Sequence, residues 1–173
     1  MGEHFVRVAG TVKAAGGVGR LRAEIVGFLA EALSERGTRL FVASPFWSSP
    51  NLLTRAASAA AAWKGRLADT TIVTATERAA RRIVQDLRPR LPWHPSVWVC
   101  PGLHAKLVLV EGGRTVRALI GSANMTSAGT RRPLEAMIQI EFTPESAAGS
   151  GVLALRDAIR EGAVSFRETK AAI

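Results

Sequence analysis

His104 and Lys106 are separated by a single alanine, and so are Ser122 and Asn124. An imidazole can serve as nucleophile or base. An ammonium is a fixed cation, and a hydroxyl and a carboxamide add further polar contacts. Together the four groups can meet the oxygens of one phosphate. Residues two apart share a face only if their backbone is extended. Residues 104–113, HAKLVLVEGG, and 115–124, TVRALIGSAN, both read as strands. His104 and Lys106 then project to one side, and Leu107, Leu109 and Glu111 to the other. Gly112-Gly113 is a hairpin signal between the two runs. Pairing across that turn predicts that His104 and Lys106 lie near Ser122 and Asn124.

The rest of the chain must hold this pair of strands in place. Leu21, Ile25, Val26, Phe28, Leu29 and Leu33 fall at helical spacing, with Gly37 as the stop. Residues 39–47 are short, apolar and bounded by turn residues, which predicts a buried strand. Residues 51–64 are Ala-rich and read as a helix that Asn51 could cap. Residues 70–75 predict a second buried strand. Residues 77–88 read as a helix ended by the prolines of 89–95. Residues 96–102 and 135–143 are strand-like, and 152–161 close the chain as an amphipathic helix. Residues 1–19, with Gly16, Gly17 and Gly19, read as a loose, flexible arm or an early strand. Strands alternating with helices, then a run of strands, then a helix predict an α/β fold. Its mixed β-sheet would be flanked by helices on both faces, as one domain over 1–173.

The composition limits the setting. Apolar residues make up 47% of the 173, enough for a packed core. The lone Cys100, within an apolar run, cannot form an internal bridge and reads as a small buried hydrophobe. No apolar run reaches the roughly 18 residues of a membrane span. The first ten residues lack the apolar core of a signal peptide. A cytoplasmic location follows by default. The net charge is +9, from 23 Lys+Arg against 14 Asp+Glu, and only Lys13, Lys64, Lys106 and Lys170 are lysines. Such an excess of arginine favours polyanionic partners, either nucleic acid or an anionic lipid surface. A GC-rich coding sequence produces the same bias.

The segment around the two residue pairs resembles the HKD motif of the phospholipase D superfamily, HxKx4D followed by GSxN. Here it reads His104-Ala105-Lys106, four residues, Glu111, and then Gly121-Ser122-Ala123-Asn124. Small bacterial nucleases of that superfamily carry a glutamate shortly after GSxN that orients the histidine. Glu135, eleven residues past Asn124, fits that place. The motif's Asp is replaced by Glu111, which strand alternation turns away from the histidine and assigns to structure.

The resemblance implies a phospholipase D-like α-β-α sandwich and a hydrolase that works without metal or cofactor. His104 would attack phosphorus and form a phosphohistidine, dividing one hard displacement into two easier ones. A second histidine would protonate the leaving alkoxide and then activate water. Lys106, Ser122 and Asn124 would contact the transferring group, and Glu135 would hold the nucleophilic ring's tautomer. The superfamily needs two motifs per site. Neither His4 nor His94 is followed two residues on by lysine, so the resemblance implies a homodimer sharing one site.

Arg131 and Arg132, between GSAN and Glu135, are candidates for backbone phosphate contacts. Trp47 and Trp93 could meet substrate near the mouth, whereas Trp98 reads as core. Thr126 and Ser127 read as helix caps. The substrate expected first is DNA or RNA, in a setting such as restriction or phage defence that rests on family analogy. A lipid phosphodiesterase is the second reading. A non-catalytic nucleic-acid-binding or dimerisation module is the third.

Overall fold

In a computed structural model, residues 6–10, 20–35, 37–48, 52–59, 69–87, 95–122, 124–126 and 136–167 are described. Among them, strands β1 (Val6–Gly10), β2 (Arg39–Ala43), β3 (Asp69–Thr74), β4 (Ser96–Val99), β5 (Leu107–Gly112), β6 (Thr115–Gly121), β7 (Ala136–Phe142) and β8 (Val164–Ser165) form one mixed sheet. Its spatial order is β1-β7-β6-β5-β2-β3-β4-β8. The helices among the described residues are α1 (Arg20–Ser34), α2 (Leu52–Ala59), α3 (Glu77–Leu87) and α4 (Ala147–Glu161).

Strand alternation divides the core in two. Leu40 and Val42 of β2, Val108 and Val110 of β5, and Leu119 of β6 pack against α1, α2 and α3. Those helices contribute Ile25, Leu29, Leu33, Leu52, Leu53, Ala80, Ile83 and Leu87. The intervening residues, Phe41 and Ala43, Leu107 and Leu109, and Val116 and Ala118, face the other way. There they meet Ile159, Val152 and Leu153 of α4. Both faces are covered, so β2 and β5 read as unbroken apolar runs rather than as polar-apolar alternation.

Local chemistry explains the boundaries. Gly37, at φ +75, ends the α1 segment in a backbone region that side chains disfavour. The Thr38 hydroxyl then donates to Ala32 O at 3.0 Å, satisfying a carbonyl of the last helical turn. The β5–β6 hairpin turns at Gly113, with φ +61, and pairs Gly112 with Thr115. The N-terminal stretch is not merely an arm: β1 pairs antiparallel with β7 from Val6↔Ile140 to Gly10↔Ala136. Helix α4 begins at Ala147, five residues ahead of the predicted start, because Ser146 caps it by accepting from Gly149 N at 3.1 Å. Glycines in that first turn obscure the helical pattern. Gly149 is needed there, since a Cβ would collide with Thr143 O and the Phe142 ring.

Several strands are shorter than predicted. β2 ends at Ala43, and Trp47 makes only an isolated bridge to Met125. β5 begins at Leu107 and β6 ends at Gly121. His104, Lys106, Ser122 and Asn124 therefore all lie beyond the strands that were expected to contain them.

Candidate active site

One rim of the sheet collects the carboxyl ends of β2, β3, β4 and β6 and the amino ends of β5 and β7. The register fixes this, with Ala43 opposite Leu107, Leu107 opposite Ile120, and Gly121 opposite Met137. Carboxyl ends of parallel strands are a common place for ligands in open α/β sheets. His104 and Lys106 lie on the approach to β5, after the Pro101-Gly102 turn and the buried Leu103. His104 is exposed and Lys106 half-buried. Lys106 Nζ donates to His104 O at 2.8 Å, so the ammonium folds back over the histidine's own backbone.

The two halves of the motif meet through the backbone. Gly121 N donates to Lys106 O at 3.2 Å, one step past the paired strands. A ladder extended further in this register would place Ser122 on the face of Leu107, toward α4 and away from Lys106. The chain does not extend it. After Gly121 it crosses toward the end of β2, where Met125 is buried and bridges Trp47. Ser122 is left exposed and Asn124 half-buried, and the Asn124 Oδ1 is buried and without a hydrogen-bond partner among the described residues. A buried carboxamide oxygen with nothing to accept from costs stability unless a ligand, water or neighbouring group satisfies it.

Ser44 anchors this crossing. Its Oγ accepts from Met125 N at 3.1 Å and donates to Phe46 O at 3.1 Å. Its own N donates to Val73 O, and its carbonyl accepts from Trp47 Nε1 at 3.0 Å. Thr74 Oγ1, from β3, donates to Pro45 O at 3.2 Å. Both hydroxyl residues are fully buried. Sequence reasoning passed over Ser44 because it sits inside an apolar stretch and looks like an ordinary strand-end serine. The clue available was a small hydroxyl just past a buried strand, where the ladder's hydrogen bonds run out.

The structure moves other expected residues. Trp47 is only 5% exposed and belongs to the core, so its indole backs the rim instead of meeting substrate. The aromatic ring that faces outward is its neighbour Phe46, 60% exposed. Trp98 packs at the edge of the α4-side core, under the Arg160 guanidinium. Cys100 packs against the same cluster as a small hydrophobe. Glu111 follows Leu107 and Leu109 on the α4 face of β5, as alternation within the strand requires, and pairs with Arg156 of α4. Asp157 and Glu111 together raise the pKa of Arg156 above its ordinary value, the Asp157 hydrogen bond contributing most. Glu135, Arg131, Arg132, Trp93 and Ser127 lie outside the described residues. Ala136, which follows Glu135, is the first residue of β7 at this same rim.

No protein-family model and no curated protein matches the chain. Solved structures do. Nuc, a phospholipase D family member from Salmonella typhimurium, superposes with a TM-score of 0.62 over 96% of this chain and 100% of its own, at 19% identity. The chain has the phospholipase D superfamily fold. NucT from Helicobacter pylori shares the fold, with a TM-score of 0.55 over 95% of this chain and 99% of its own, at 12% identity. Phosphatidylserine synthase from Haemophilus influenzae matches 84% of this chain with 46% of its own, with a TM-score of 0.50 and 13% identity. In this phospholipase D-like sheet the His-x-Lys segment leads into β5 and the Gly-Ser-x-Asn segment leaves the paired β6, at one rim. Among the described residues, no helix is long and apolar enough to cross a membrane.

Proposed function

We propose that this protein is a metal-independent phosphodiesterase, a nuclease that cuts DNA or RNA through a phosphohistidine on His104. One observation carries the reading. In a phospholipase D fold, an exposed histidine and a half-buried lysine stand just ahead of one strand, and an exposed serine and a half-buried asparagine follow the end of the adjoining strand, which Gly121 N ties to Lys106 O. The similarity to Nuc over its whole length supports the same reading. One domain of this fold then accounts for residues 1–173.

The imidazole of His104 attacks phosphorus. A P–N bond forms, and the P–O bond to the leaving alkoxide breaks. A second, protonated imidazole delivers its proton to that alkoxide and then takes one from water, which attacks the phosphohistidine and frees His104. Lys106 balances charge on the phosphoryl oxygens, and the Ser122 hydroxyl and Asn124 carboxamide donate to them. Glu135 sets the tautomer of the nucleophilic ring. This chain carries one such motif, so the second imidazole is His104 of a second copy in a symmetric dimer. One ring attacks as the neutral imidazole while the other carries the proton it delivers. Arg131 and Arg132 belong to the same reading as contacts to flanking phosphates, as does a cytoplasmic role in restriction or phage defence.

A lipid phosphodiester is the second reading, kept by the likeness to phosphatidylserine synthase. The net charge of +9 and the scatter of exposed large apolar residues, Phe46, Ile138, Leu155 and Val164, favour nucleic acid. The test is a panel of single- and double-stranded DNA, RNA and phosphatidylcholine, incubated in EDTA with wild type and His104→Ala. Nucleic-acid cleavage that survives EDTA and disappears in the variant is expected. Binding without cleavage by a dimeric wild type would establish the non-catalytic module instead. Full activity from a strict monomer would end the shared-site model.

A further inference from the structure

Helix α3 presents a row of arginines to solvent. Arg78, Arg81, Arg82 and Gln85 occupy positions i, i+3, i+4 and i+7 and are all exposed. The opposite side, Ala80, Ile83 and Leu87, is buried against the sheet. Apolar burial thus fixes the helix's rotation and leaves the three guanidinium groups on one stripe. None of the three makes an ion pair among the described residues. The exposed acid in the first turn, Glu77, offsets one charge and sits at the helix amino end, where the dipole favours it.

The stripe starts beside the candidate site. β3 ends at Thr74, whose hydroxyl bonds Pro45 O and whose carbonyl accepts from Cys100 N, and α3 begins three residues later. β3 lies two strands from β5 in the sheet order, about 10 Å across. From there α3 leads away from the rim on the face shared with α1 and α2. Arg78 and Arg82 are about 6 Å apart along the helix axis. That is close to two phosphate repeats on one strand of a duplex, about 6.8 Å.

We propose that the Arg78–Arg81–Arg82 face of α3 is a docking track for the phosphate backbone of nucleic acid running into the rim. The site at the rim handles one phosphodiester, and the track holds the flanking phosphates without reading bases. Arginine's planar fork suits phosphate oxygens, and the contact is electrostatic and independent of sequence. A membrane surface fits less well. A helix lying on lipid exposes large apolar side chains beside its basic ones, and none of the exposed large apolar residues is on α3. The inference extends the nuclease reading to a second surface, and the two are separable by experiment.

The test measures binding of a labelled oligonucleotide, single- and double-stranded, to the full chain carrying His104→Ala in EDTA. Salt is varied between about 50 and 200 mM. Replacing Arg78, Arg81 and Arg82 together with glutamine is expected to flatten the slope of log affinity against log salt by roughly two to three. Lysine at the same positions restores most of that slope. In the His104-intact protein, the glutamine variant hydrolyses a small aryl phosphodiester at the wild-type rate and loses rate only on the oligonucleotide. An unchanged salt slope overturns the track, as does a glutamine variant that binds anionic phosphatidylglycerol vesicles more weakly while oligonucleotide binding is unaltered. A flattened slope in the glutamine variant, together with a wild type that cleaves no diester, leaves the track standing and removes the catalytic reading.

Discussion

At the start of β5, His104 and Lys106 stand outside the ladder, one exposed and one half-buried, with an ammonium whose described hydrogen bond goes to a neighbouring carbonyl. At the other end of the same strand, Glu111 lies against α4 with its carboxylate committed to Arg156. Both side chains of that ion pair are 24% exposed, and Arg156 is shared with Asp157. A cleft of about 360 Å³ opens beside this far end, lined by Arg39, Phe41, Asp69, Thr71, Glu111 and Arg156. So the two ends of one motif have different physical duties. The near end keeps polar groups available at a rim, and the far end uses charge to fasten a helix to the sheet. A motif written as a single string in sequence is therefore two devices, one on the approach to β5 and one at its far end, where alternation turns Glu111 toward α4.

The contrast can be broken from either end. The largest effect is expected from His104→Ala, which should lower cleavage by roughly a thousandfold or more with the fold unchanged. Steady-state assays beside circular dichroism check it, and retained cleavage would return the near end to a plain surface. Next comes Ser44→Ala, which strips the buried Met125 N–H of its acceptor. A stability loss of about 1–3 kcal/mol in urea titration is expected. A fall in kcat larger than the change in KM should accompany it, since the Ser122–Asn124 segment loses its anchor. Equal kcat per folded molecule would confine Ser44 to stability. Glu111→Gln should cost about 1 kcal/mol or slightly more by weakening the Arg156 pair. Cleavage per folded molecule should not change. A collapse of activity there would show that the far end reaches into the chemistry after all. The smallest effect is expected for Phe46→Ser, within about 0.5 kcal/mol of wild type in thermal melts, because the ring is mostly in solvent.

Much of the fold was legible because burial writes simple periods into a chain. The α1 stripe, the apolar β2 and β5 and the glycine hairpin all follow from which side chains must leave water. Helix α4 was legible only in part, since Ser146 and Gly149 act through a cap and a close approach that apolar spacing does not register. The shared face of Glu111, Leu107 and Leu109 was legible too, because parity within one strand needs no tertiary information. Trp47 was misread for the opposite reason. A tryptophan at a strand end can point either way, and the choice depends on Met125 and Ser44, distant in sequence.

By itself, the amino-acid order determined the inventory of reactive groups, their spacing, and the alternation that puts Glu111 on one face with Leu107 and Leu109. Only the tertiary structure decided that the ladder stops at Gly121, that Ser44 captures the following segment, and that α3 turns three arginines outward beside the rim. The division has a physical cause. Periodicity is a property of neighbours along one chain, while the place where a strand abandons its partner is set by competition between ladder hydrogen bonds and burial against residues far away in sequence.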